Sequence, residues 1–301
     1  MRRPLLLALA AFFVAGPALA WNGAGHRLVA TIAWDNLDNS TRQAATELLR
    51  THPDQDRWLL KSRYYPAESP DYVLFLEAST WADDIRRDPR FEGAGSSSTL
   101  PGFPDMERHG EWHYDNLPLQ GKPHHSPDGQ LTARIHSLTA QLGDRHLSST
   151  QRAYALTWLL HLVADIHQPL HVVSRYNGEG RGDEGGNGLA VRDNLNPRHP
   201  NTNLHAYWDD LPGPPWLRGK RLRQAATSLE ETTMPVAVSG QADTWRDESF
   251  RMARDYVYPN SQEVAPILDS DYRDRAHSIA AQRLFAAGVR LARLLHRSLA
   301  H

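Results

Sequence analysis

His161 and Asp165 stand four residues apart in the run HLVADIHQPLH, and His205 and Asp209 repeat that spacing in NLHAYWD. On a helix such a pair projects from one face, so an imidazole and a carboxylate can converge on one ion. His171 lies six residues beyond Asp165 and past Pro169, on a turn from which it can face a neighbouring ion. Each pair taken alone reads sooner as a hydrogen-bonded surface or core pair than as a metal site. Two such pairs plus His171, in a chain with sixteen histidines and no cysteine, tip the reading to metal. Disulfides, thiolate zinc sites, thiol catalysis and iron–sulfur clusters are excluded, so any metal must be held by His, Asp, Glu or backbone.

The segments that must position these residues read as helices joined by polar loops. Ala24–Asn36 is amphipathic, and Ser40 with Gln43 resembles a capping box opening 41–50. Ser69-Pro70 opens a helix expected to run to about Arg87, with proline well placed at its first position. Leu131, Ile135, Leu138 and Leu142 recur at helical spacing, with Gly143 as the stop. Ser148 or Ser149 opens a long helix to about His167. Helices are expected again near 203–210, 217–231, 242–256 and 272–298. A glycine-rich loop or small hairpin falls near 177–195, with Leu189-Ala190-Val191 as the strand candidate. There is neither an internal repeat nor a Ser/Gly linker, so the expectation is all-α, one mainly helical domain over 21–301. His167, two residues after Asp165, points to another helix face and reads as solvated, as do His124, His125, His296 and His301. Trp81, Trp112, Trp158 and Trp208 flank the ligand runs and read as packing.

Residues 1–20 read as a secretory signal peptide: a basic start, an apolar run from Leu5 to Val14, and a small–x–small site ending at Ala20. The run is too short to span a membrane. Cleavage at Ala20–Trp21 would leave a secreted or periplasmic protein beginning at Trp21. Loss of Arg2 and Arg3 takes the formal charge from −2 to −4. That balance argues against coating nucleic acid with a strongly basic surface.

Taken in order, WNGAGH (21–26), WADD (81–84), WHYDN (112–116), HLVADIHQPLH (161–171), GDEGGN (182–187) and NLHAYWD (203–209) resemble the S1/P1 nuclease family. The resemblance covers the chain from Trp21 to about residue 215. It implies a phospholipase C/P1 nuclease type of helical fold and three Zn²⁺. Asp83, His113 and His161 would hold one ion, which Asp165 bridges to a close second completed by His26 and the amine and carbonyl of Trp21. His171, His205 and Asp209 would hold the third. It further implies hydrolysis of single-stranded DNA and RNA to 5′-phosphate products by a zinc-activated hydroxide, with 3′-nucleotidase activity. Asp83 and Asp165 would be catalytic through the metals, and Arg86 would clamp the phosphate. Tyr114 would stack on a base and Asn116 would hydrogen-bond its edge. Some members carry Asp at the position of Asn116, and an amide donates as well as accepts, which bears on base preference. Asn187 either orients groups near His171 or shapes the glycine-rich turn. Ions contributing +6 against three ligand aspartates would leave a positive cleft in an acidic chain. The enzyme is expected to be a monomer with no membrane span.

Two other classes fit parts of the pattern. A zinc-dependent phospholipase C shares the three-metal arrangement but places its first histidine farther from the N-terminal tryptophan and ends its ligand set in Glu. A non-catalytic periplasmic zinc-binding protein would leave Arg86 and Tyr114 without a role.

Overall fold

Asn22 starts the first helix: its side chain accepts the Ala24 N–H at 2.9 Å, and α1 (Gly23–Asp35) follows, buried over nearly its whole length. The computed structural model describes residues 21–91, 99–125, 129–196, 200–234, 240–261 and 263–300. The expected signal segment lies outside them. The next helix, α2 (Asn39–Leu49), is capped by Asp38, whose carboxylate accepts the Thr41 N–H at 2.7 Å. The capping box expected at Ser40 is therefore not the start. Ser40 instead donates to Asp38, because an ionised carboxylate is the stronger acceptor for the free N–H groups.

After the short α3 (Gln55–Leu59), Ser69 caps α4 (Pro70–Ala78). The single helix expected to Arg87 is broken. Ser79 and Thr80 turn their hydroxyls back onto the carbonyls of Leu76 and Glu77, which competes with helix propagation. α5 (Trp81–Asp84) follows and tightens into a 3₁₀ turn, Ile85–Arg87.

α7 (Ser149–Asp165) forms the centre of the bundle, and α6 (Leu131–Gly143) packs its apolar stripe against it. Ser148 and Gln151 make a reciprocal capping box at the start of α7, and every residue from Ala153 to Asp165 is buried. A helix covered on all sides must be central. Then come α8 (Leu204–Asp209), α9 (Gly219–Thr232), α10 (Ala242–Met252) and the long α11 (Ser270–Leu299), which lies along α1. The two axes approach closely because residue 288 is glycine: a Cβ there would stand 2.5 Å from Ile32 Cβ. One connected apolar core draws on residues from Trp21 to Leu299.

The chain is mainly helical, as its periodicity implied, with two small sheets. β1 (Leu117–Gln120) pairs in parallel with β2 (Val173–Arg175), and β3 (Ala190–Arg192) pairs antiparallel with β4 (Asn201–Asn203). The strand candidate at 189–191 thus finds its partner just ahead of α8, beyond the 177–195 window. Among the described residues no helix is long and apolar enough to cross a membrane.

His167 is buried, contrary to its reading as solvated. α7 ends at Asp165, so face counting on a straight helix no longer applies two residues on. The ring donates from Nδ1 to the Val163 carbonyl at 2.8 Å, and its Nε2 accepts from Arg290 of α11 at 3.0 Å.

Glu77, wholly buried in α4, ties three segments together. It accepts from Arg218 at 2.7 Å, Lys61 at 3.0 Å and Tyr65 at 2.6 Å, with Arg27 of α1 at 3.2 Å. Burial alone would push this carboxyl up, but Arg218, Arg27 and Lys61 overcome it and hold it down at about 2. A depressed carboxyl contributes stability that is complete above its unfolded value of 4.5 and lost as pH falls toward 2. Glu77→Gln should destabilise the fold by about 2–4 kcal/mol at neutral pH, since it leaves buried Arg27 and the half-buried Lys61 and Arg218 without their counter-charge. Urea unfolding of both proteins between pH 7 and pH 2 checks this. The gap should be constant above the unfolded value and close below it, and a gap insensitive to acid would contradict the assignment.

Candidate metal centre

The end of α7 delivers the middle of the site. His161 and Asp165, one turn apart, are both wholly buried. His161 Nδ1 donates to the Ser79 carbonyl at 2.8 Å, an acceptor that the break between α4 and α5 leaves available. That bond fixes the tautomer, so the lone pair of His161 is on Nε2. Nε2 faces Asp165 Oδ2 at 3.4 Å, Asp83 Oδ1 at 3.7 Å and His113 Nδ1 at 3.2 Å. His26 of α1 stacks on the His161 ring with centroids 3.8 Å apart and brings its own Nε2 to 3.5 Å from Asp165 Oδ1. Asp165 therefore divides its two oxygens: Oδ2 toward His113 (3.0 Å) and His161, Oδ1 toward His26.

The second cluster is built from the turn after α7 and from α8. Pro169–His171 form a 3₁₀ turn, and His171 Nδ1 donates to the His113 carbonyl at 2.5 Å. His205 Nδ1 donates to the Gly185 carbonyl at 2.9 Å. Both lone pairs are thereby placed on Nε2, and these two atoms face each other at 3.2 Å with Asp209 Oδ2 3.5 Å from the latter. Two acceptors cannot bond each other, so the arrangement asks for a cation between them. Gly185 must be glycine: its φ is +62°, and a Cβ would sit 2.3 Å from the Leu170 carbonyl oxygen.

Three groups of potential ligand atoms thus lie within 4.8 Å of one another internally: His26–His161–Asp165, Asp83–His113–His161, and His171–His205–Asp209. Burial holds His26, His113, His161 and His171 below the ordinary histidine value. Burial, reinforced by the charge of Asp83, pushes Asp165 well above the ordinary carboxylate range, and burial likewise raises Asp209. Neutral imidazoles beside carboxyls reluctant to ionise are not ion pairs. Both nitrogens of His26, His113 Nε2, Asp83 Oδ1 and Asp165 Oδ1 are buried with no hydrogen-bond partner. Orphaned buried polar atoms at this density are costly, and a multivalent cation satisfies those that present a lone pair. The donor set of nitrogen and carboxylate oxygen suits zinc.

The remaining sequence-derived candidates surround this centre. Trp21 is fully buried, and the next residue is docked on the end of α8: Asn22 N–H donates to the Asp209 carbonyl at 3.1 Å and Asn22 Nδ2 to Asp210 at 2.9 Å. Asn22 is thus held directly against the helix that carries His205 and Asp209. Arg86 is largely buried in the 3₁₀ turn after α5, its Nε 3.5 Å from Asp83 Oδ1. Tyr114 and Asn116 are half-buried on the strand-like stretch leaving His113. That stretch is pinned beside His171 because Asp115 N–H donates to the His171 carbonyl at 2.8 Å. Asn116 adopts a left-handed φ of 52°, which asparagine tolerates better than most residues. Asn187 donates to the Glu184 carbonyl at 2.8 Å and shapes the turn. The four tryptophans are buried, with Trp158 edge-on to His113 at 5.6 Å.

Gln168 was absent from the sequence-derived site. Wholly buried, it donates to Asp209 Oδ1 at 2.8 Å while its carbonyl caps the turn at Leu170 N–H, 2.7 Å away. Its signal was its place between the histidines of HQPLH, but nothing in the sequence shows that Asp209, 41 residues on, is its partner.

The family model described as S1/P1 Nuclease matches residues 21–300, so the likeness runs through the C-terminal helices rather than stopping near 215. The chain is 26% identical to Endonuclease 4 of Arabidopsis thaliana, over 93% of this chain and 89% of that protein. It is 25% identical to Nuclease S1 of Aspergillus oryzae, over 97% and 96% of the two chains. Nuclease PA3 of a Penicillium species is 26% identical over 75% of this chain and 71% of its own.

Proposed function

This chain belongs to the S1/P1 nuclease family and is a hydrolase acting on nucleic acids, and we propose that its substrates are single-stranded DNA and RNA and 3′-nucleotides. The reading is carried by one observation: buried imidazoles whose tautomers leave their lone pairs converging with carboxylates on the same few points. Three zinc ions fit these groups. Asp83, His113, His161 and Asp165 would hold one, and Asp165, His26 and the amine and carbonyl of Trp21 a second. His171, His205 and Asp209 would hold the third. When bound, the ions supply Lewis acidity toward phosphoryl oxygens and acidify water.

The net reaction forms a bond from a water oxygen to phosphorus and breaks the P–O3′ bond, leaving a 5′-phosphate and a 3′-hydroxyl. Arg86, held beside Asp83, neutralises and orients the phosphate. Tyr114 stacks on the adjoining base, worth about 1–3 kcal/mol and indifferent to base identity. Asn116 hydrogen-bonds the base edge. Only an unstacked base can be gripped in this way, which favours single strands. Secretion through cleavage at Ala20–Trp21 supplies the free amine and defines the catalytic domain as 21–301.

Purified mature protein loaded with zinc, assayed on single-stranded DNA, RNA, a 3′-mononucleotide and phosphatidylcholine, tests the proposal. Hydrolysis of the three nucleotide substrates to 5′-phosphates or nucleoside is expected. Turnover of phosphatidylcholine alone, or none at all, would overturn it. Gln168→Leu, which removes the hydrogen bond orienting Asp209, should weaken zinc retention by about 10–100-fold at one site of the three. Competition with a chromogenic chelator reads this directly, and unchanged retention would show that Gln168 serves only the turn.

A further inference from the structure

Asp83 and Arg86 do not only face the clustered histidines. They also line one end of an open cleft of about 1250 Å³ that extends along α3, the 3₁₀ turns and the segment after α8. That exceeds the roughly 300–1,000 Å³ of pockets that hold one drug-sized ligand. Eight Arg and Lys side chains line it against five Asp. With Glu77 counted behind the wall, an excess of two positive charges remains, on a protein whose formal charge is negative. The local charge balance is therefore opposite in sign to that of the whole chain.

Most of these cations are committed. Arg57 and Arg90 lie 2.6 and 2.7 Å from Asp88, and Lys61, Arg27 and Arg218 surround Glu77. Arg63 and Arg87 differ. Both are exposed, and neither makes an ion pair among the described residues. Arg63 only donates to the Tyr64 hydroxyl at 3.1 Å. The Tyr64 ring is itself 47% exposed, with the guanidinium carbons of Arg63 and Arg218 at 4.8 and 5.4 Å from its centroid. Cations along an open groove that reaches Asp83 and Arg86, with the exposed Tyr64 ring beside Arg63, match the chemistry of a single polynucleotide strand.

We propose that this cleft is the track for substrate phosphates beyond the scissile one, with Arg63 and Arg87 as its phosphate-contacting cations. The proposal rests on the nuclease reading and deepens it. The enzyme then recognises a length of strand, and longer substrates bind more tightly at an unchanged chemical centre.

The test compares zinc-loaded wild type with Arg63→Ala, Arg87→Ala and the double variant. Each is assayed on a dinucleotide and on a long homothymidylate strand across a series of salt concentrations. Wild type should show the lower KM on the long strand. Each variant should raise that KM several-fold, leave kcat and the dinucleotide kinetics unchanged, and reduce the salt slope of log KM by about 0.7. Equal losses on both substrates, or a double variant with the wild-type slope, would overturn the track. If wild type hydrolyses neither substrate, the nuclease reading fails on its own. Fluorescence anisotropy of a labelled strand titrated with the same zinc-loaded proteins then decides the track by the same salt slope.

Discussion

Asp165→Asn should lower phosphodiester hydrolysis by at least about 10²–10³-fold, the loss seen when one preorganised electrostatic group is removed from a site. It should also take bound zinc from three ions per chain to one. The side chain has no exposure to water and divides its oxygens between His26 on one side and His113 and His161 on the other. Asparagine keeps the volume but replaces one acceptor with an N–H₂ donor and removes the charge that two cations would share. Because shape is conserved, the fold should persist, and His171, His205 and Asp209 should keep their ion. Elemental analysis beside kinetics on a single-stranded substrate checks both halves. Zinc still at three per chain would mean that Asp165 bridges nothing.

A protein beginning one residue earlier, with Ala20 or an initiator methionine ahead of Trp21, should carry one zinc fewer and lose about 10²–10³-fold in rate, by the same reasoning. An α-amine with a pKa near 8 gives up its proton to a metal, whereas an amide nitrogen is a poor ligand. Trp21 is fully buried, and Asn22 is hydrogen-bonded onto the end of α8, so the nitrogen of Trp21 belongs to a segment anchored on that helix. Comparing protein processed on export with protein made with an added methionine isolates this term. Equal zinc content and equal rates would remove Trp21 from the ligand set.

Local signals in the chain set structure where the physics is local. Ser148 at the start of α7 and the apolar stripe of 131–142 in α6 are local signals, and both helices form where those signals place them. Such signals failed where two local options competed. Ser69-Pro70 correctly marked a helix start, but hydroxyls at Ser79 and Thr80 ended it early. Asp38 outbid Ser40 as a cap. The burial of His167 escapes local signals because its partner, Arg290, lies 123 residues away.

The candidate site divides in the same way. The i,i+4 pairs His161–Asp165 and His205–Asp209, and the position of His171 past Pro169, follow from helix geometry and are determined by sequence alone. So is the exclusion of thiolate chemistry. Which nitrogen of each ring carries its lone pair is decided only in three dimensions. It depends on the carbonyls of Ser79, His113 and Gly185, which come from other segments and become available through a helix break, an extended stretch and a glycine in a left-handed turn. The orientation of Asp209 by Gln168 and the docking of Asn22 on α8 are likewise tertiary facts. Sequence spacing sets which ligands share a helix face. Backbone acceptors brought in from elsewhere set where their lone pairs point, because a neutral imidazole has one acceptor nitrogen and the partner of the other decides which.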